Sequence, residues 1–179
     1  MSHRPFAARR PASIATQQCR ELMSEKMDLP VYPGEGAAPA DVLRLAAEYH
    51  QAAELLHKQH RKGEPISLAP CRFVALHASE LYLNAFLLMM GVDHKAVRAL
   101  QHNLADRAQR AQEAGLVLRQ RTLSHLMDRS SREYLITRYS PELPSTLPQL
   151  NRLMATLNDL ATKVSATAAN TKQLRGRQL

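Results

Sequence analysis

His77, Glu80 and Asn84 stand three and four positions apart, the spacing that puts side chains on one face of a helix. An imidazole, a carboxylate and an amide on one face could form a hydrogen-bonded network that fixes helix register. They could also line a polar pocket for a nucleotide or a phosphate. Both readings need a partner for Glu80, because burying a carboxylate alone is costly. His102, Arg132 and Arg138 are the candidates. A second set, His50, His57 and His60, has only Glu54 as an acid at suitable spacing, and zinc usually asks for more. These histidines read as surface or half-buried groups, and no metal site or cofactor is expected. Phosphate-loop, GxSxG, HExxH and CxxC patterns are absent.

The element that must position the first set is the run 67–91, SLAPCRFVALHASELYLNAFLLMMG. It is apolar on nearly every side between 73 and 90, as a helix at the centre of a bundle must be. Glu80 in its middle argues against a membrane span. Ser67 is its expected N-cap and Gly91 its stop, giving a rod of roughly 36 Å. Four companions are expected to cover it. The first spans 41–62, capped by Asp41, with Leu45, Tyr49, Ala52, Leu56 and His60 as its stripe. The next follows a short turn at 93–100 and is capped by His102 or Asn103. Its small-residue face is Leu104, Ala108, Ala111 and Ala114, with Arg107 and Arg110 in solvent. A helix over about 119–139 is weakened at Ser130 and Ser131. The last, about 147–169, carries Leu150, Leu153, Met154, Leu157, Leu160, Ala161 and Val164, with Asn151, Arg152, Asn158, Asp159 and Lys163 opposite. Thr146 and Gln149 form a capping-box pair at its start, with Pro148 in the first turn. No stretch alternates with period two, so the fold class is all-α, an up-and-down bundle of about five helices.

Aromatics make up only 4% of the 179 residues, which also favours helices. The net charge of +8 is confined to the ends. Residues 1–20 hold Arg4, Arg9, Arg10 and Arg20 without an acid, and 163–179 hold Lys163, Lys172, Arg175 and Arg177 without one. Between them the charges balance. Basic ends can grip a phosphate backbone without reading sequence, or serve as solvated tails. Residues 1–40 read as a basic arm and linker with a short helix at 13–27, 41–169 as the bundle, and 170–179 as a basic tail. Cys19 and Cys71 suggest neither a disulfide framework nor a zinc site, and fit a reducing cytoplasm.

The stretch HASELYLNAFLLMMG (77–91) followed by VRALQHNLADRAQRAQEAGL (97–116) resembles the HEPN superfamily of helical-bundle proteins. Members often carry E-L-x-L-K-A-x-L-L, a glycine, a short gap and H-D-L before the next helix. The likeness covers roughly 40–165, and REYLITRYS (132–140) is similar to sequences of this kind. Asn84 stands where lysine is common, and Asn103 replaces the aspartate. The resemblance implies a binding site drawn from His77, Glu80, Asn84, His102, Asn103, Arg132 and Arg138. It also implies a homodimer and a nucleotidyltransferase as a candidate partner in a toxin–antitoxin or defence setting. Metal-independent ribonucleases of the superfamily carry R-x(4–6)-H, and the resemblance implies that the histidine moves a proton while the arginine holds charge on phosphorus. Arg44 and His50, Arg72 and His77, and Arg119 and His125 match by count, with Arg119 and His125 the candidates, although the R-N-x-x-x-H-x-Y context is missing. Three readings follow: a non-catalytic binder of a nucleotide, nucleic acid or partner protein, which is preferred; an RNA-cleaving enzyme; and a structural dimer packed through 13–27.

Overall fold

The structure, a computed structural model, describes residues 33–128, 132–140 and 149–176. Within 132–140 the side chains of 132–135, and within 149–176 those of 172 and 174–176, are outside the description. The chain divides into two compact units, 1–35 and 36–179, and every element below belongs to the second. The described residues form seven α-helices and one short 3-10 turn, with no strand. They are α1 (Pro39–Gln59), α2 (Ala69–Met89), α3 (His94–Ala99), α4 (Leu104–Glu113), α5 (Gln120–Met127), α6 (Arg132–Tyr139) and α7 (Leu150–Gly176). An all-α bundle is what the periodicity predicts. The helix number rises from five because 94–99 closes into a helix of its own and 119–139 is divided in two. The expected short helix at 13–27 and the Thr146–Gln149 capping box with Pro148 fall on or reach into residues outside the description.

α2 is the central rod, and α1, α3, α4, α6 and α7 pack against it. Leu76, Leu83 and Leu87 on it are essentially sealed from solvent. Each such burial stabilises by about 1.5–3 kcal/mol. α1 comes close because small residues meet there: Ala46 and Ala53 against Cys71, Ala75 and Ala78, all fully buried. The Cys71 thiol donates to the Ala53 carbonyl at 3.3 Å. Burial pushes that thiol up to about 11, against the pull of neighbouring Arg72, so it stays protonated and unreactive. α7 covers the rod with the expected stripe: Leu150, Leu153, Met154, Leu157, Leu160 and Val164 are buried, and Ala161 is half-buried against them.

Two helices end alike. Gly91 (φ 83°) and Gly115 (φ 97°) occupy the left-handed region just past α2 and α4. The following amides return to the helix, Val92 N to Leu87 O at 3.0 Å and Leu116 N to Ala111 O at 2.9 Å, the Schellman pattern. α3 begins on Asp93, whose carboxylate accepts from Lys95 N at 2.9 Å, and α4 begins on Asn103.

Several boundaries differ from the sequence reading. Pro39 presets the backbone for the first turn, so α1 begins there, and Asp41 pairs with Arg44 at 2.7 Å instead of capping. The buried stripe of α1 is shifted one position, to Ala46 and Ala53 flanked by Tyr49 and Leu56, leaving Leu45 48% exposed. Ser67 does not cap α2. Its hydroxyl accepts from Arg61 N at 3.0 Å and donates to Glu64 O at 2.7 Å, tying the turn, and α2 starts at Ala69. Asp159 is buried rather than on the solvent side. α7 continues past Ala169 to Gly176 on polar residues, with Thr167 and Thr171 bonding back to carbonyls four residues earlier. No helix among the described residues is long and apolar enough to cross a membrane.

Candidate functional site

The face of α2 that carries His77, Glu80 and Asn84 meets the loop and helix that follow Gly91. Glu80 Oε2 lies 3.1 Å from His102 Nδ1, the contact the sequence anticipates. Its other oxygen, Oε1, is 3.1 Å from an Arg107 NH2 group. Arg107 is the residue the sequence reading misplaces. Expected in solvent, it is 2% exposed and is the largest sealed side chain among the described residues. Its Nε donates to Asn84 Oδ1 at 2.8 Å. One terminal nitrogen donates to Leu100 O (3.1 Å) and Asn103 O (3.4 Å), and the other reaches Val97 O at 3.5 Å.

The guanidinium therefore does three jobs. It neutralises a buried carboxylate, orders Asn84, and gives a second donor to the Val97, Leu100 and Asn103 carbonyls, which already accept backbone amides, so the turn between α3 and α4 is pinned to α4. The sequence held a signal for this. Arg107 sits three after Leu104 and four before Ala111, inside the buried stripe rather than beside it. Arg110 is exposed, as expected. The turn that Arg107 grips contains Gln101, whose φ of 48° lies in the left-handed region that non-glycine residues avoid.

His77 is half-buried on the same face. Tyr49 meets it edge-on at 4.6 Å, and Phe73 lies parallel at 6.5 Å. Burial holds its pKa below the ordinary value. Glu80 opposes that shift, while His102 and Arg138 add to it. Arg138 reaches this corner from α6, with its guanidinium 5.0 Å from the Phe73 ring centre. Arg132 is in α6, but its side chain is outside the description. Asn103 is a cap: its Oδ1 accepts from Ala105 N at 3.1 Å and Asp106 N at 3.3 Å. His102 is the outward member, its side chain half exposed.

The arginine–histidine pairs are placed apart from this cluster. Arg119, just before α5, binds Asp159 of α7 through its backbone amide (3.2 Å) and its Nε (3.3 Å). His125, 1% exposed, lies 2.7 Å from the Thr156 hydroxyl. Both are engaged by α7, and the imidazole is sealed from solvent. Arg44 is on the surface with Asp41, while His50 faces Tyr82 and Asn158. Arg72 is buried next to Cys71 on α2. His57 and His60 stack at 5.8 Å, and no group of three metal-ligating side chains occurs among the described residues.

What the main cluster can do chemically follows from its saturation. Both Glu80 oxygens and every guanidinium nitrogen of Arg107 are engaged within the protein. A substrate would have to displace those contacts. Comparison with known protein families, with curated proteins and with solved structures finds no match.

Proposed function

We propose that the chain is a HEPN-like helical bundle that works by binding, without catalysis, and that its ligand is a nucleotide, a nucleic acid or a partner protein. The observation that carries this reading is the saturation of the Glu80–Arg107–Asn84 cluster together with the burial of His125 against Thr156. Residues with the right chemistry for acid–base work are used to hold helices together. The order of Glu80, Gly91 and His102 along the chain, and the Glu80–His102 contact, support the HEPN-like part. The excess of basic residues in 1–20 and 163–179 supports a polyanionic ligand. We place the protein in the cytoplasm as a homodimer, with a nucleotidyltransferase as its candidate partner.

The test is incubation with single-stranded RNA across a salt series. Binding should weaken steeply with salt, and neutralising Arg4, Arg9, Arg10, Lys172, Arg175 and Arg177 should flatten the log–log slope by about 0.7 per lost phosphate contact. The RNA should remain intact. Fragments ending in 2′,3′-cyclic phosphate, lost in an Arg119→Ala, His125→Ala double variant, would overturn the non-catalytic reading. Sedimentation at the mass of two chains is the expected result for the homodimer, and a monomer refutes it.

A further inference from the structure

Away from the Glu80 cluster, a groove of about 360 Å³ opens between α1 and α7. That volume lies within the range of small-molecule sites. α1 contributes Glu54, His57 and Lys58, and α7 contributes Asn151, Met154 and Asn158. The spacing on each helix puts its three residues on one side. His50 Nε2 meets Asn158 Oδ1 at 2.7 Å and lies 3.6 Å from Glu54 Oε1, which puts the amide and the carboxylate at one end. His57 and Lys58 lie one turn beyond Glu54 on α1, and Asn151 two turns before Asn158 on α7. The groove thus has a cationic end beside the first turn of α7, an apolar floor of Met154 and Ala155, and an amide-and-carboxylate end.

The amide end is set from within the core. Tyr82 is 3% exposed, and its hydroxyl lies 3.4 Å from His50 Nδ1. If the phenol donates to Nδ1, Nε2–H donates to Asn158 Oδ1, and the Asn158 NH2 group is left as the donor facing a ligand. The backbone carbonyl of Asn158 is separately held by the Thr162 hydroxyl at 2.8 Å.

We propose that this groove binds a mononucleotide. Lys58 and His57 would hold the phosphate, with α7's first-turn amides adding to a field that favours an anion. A thioether floor suits the flat face of a base. The Asn158 amide would donate to a ring acceptor, the kind of pairing by which asparagine reads purine edges. Glu54 would accept from the sugar hydroxyls. The proposal rests on reading the bundle as a binder, and assigns the nucleotide a place distinct from the basic ends.

The experiment is a titration of the full chain with AMP, followed by amide chemical shifts, with adenosine and inorganic phosphate as separate arms. AMP should shift 151–158 and the Asn158 side-chain amide saturably, binding at least about tenfold tighter than either fragment. Lys58→Glu, at an exposed position, should weaken AMP about tenfold and leave adenosine unchanged. Asn158→Leu should weaken both AMP and adenosine. Unchanged helicity in both variants keeps the test about the groove. Absence of saturable shifts at millimolar AMP, phosphate binding as tightly as AMP, or indifference to Lys58→Glu each overturns the proposal. RNA binding through the basic ends, measured on the same Lys58→Glu protein, separates failure of the groove from failure of the binding reading.

Discussion

Two polar seams run through the bundle, and similar side chains serve opposite ends in them. Between α2 and α4, Glu80 and Arg107 face each other out of water with half-buried Asn84 beside them, and every Arg107 nitrogen has an acceptor within the protein. Between α1 and α7, Glu54, Lys58, Asn151 and Asn158 border open solvent, and Glu54 and Asn158 are tied back through His50. In the first, the dry seam, Glu80 and Arg107 are buried, and Arg107 also bonds the carbonyls of Val97 and Leu100. In the second, the wet seam, the lining side chains of Glu54, Lys58, Asn151 and Asn158 are exposed. Burial turns a charged group into a structural clamp; exposure leaves it available to a ligand.

The contrast can be broken most decisively at Arg107. Arg107→Met strands Glu80 in the interior and should cost about 3–5 kcal/mol in urea unfolding. Adding Glu80→Gln should recover part of that loss, and a cycle that sums without coupling would show the seam is not a unit. Next in size is Asn103→Ala, which removes the cap that starts α4 and should cost about 1 kcal/mol in the same measurement. A smaller effect is gated by pH at His77. Its folded pKa lies below the unfolded value of 6.5, so the fold holds the neutral ring. That contribution is complete above about pH 6.5 and is lost as pH falls, because the unfolded chain takes up the proton first. Stability of the parent protein should therefore decline from pH 7 towards pH 5, and His77→Phe should make that decline shallower. Smallest is Lys58→Ala in the wet seam, expected to move stability by no more than about 0.5 kcal/mol. A larger loss there would mean the groove is part of the scaffold.

Much of the dry seam was readable from one helix and its successor. The apolar run on α2 admits few polar residues, so Glu80 needed a partner, and the histidine shortly after the glycine stop supplied one. Arg107 was missed because an arginine among alanines looks like surface charge; only its alignment with Leu104 and Ala111 gives it away. The wet seam could not be read this way. His50 and Asn158 are 108 positions apart, and nothing local to either reports the other. The same holds for His125 with Thr156 and Arg119 with Asp159, where the deciding residue lies on α7. The exposed Leu45 shows a third limit: two adjacent stripes on α1 are nearly equal in sequence, and close approach to Cys71 and Ala75 selects the alanine one.

In the stretch 92–103, Val97 is the only buried side chain. Its backbone is anchored through three carbonyls to one guanidinium on the next helix. Such a segment has little cohesion of its own, so it should detach as a cooperative piece whenever that anchor lets go. Amide protons at 97–101 would then exchange with deuterium at one shared rate, faster than those at the middle of α2, making this loop-and-turn the first part of the bundle to open.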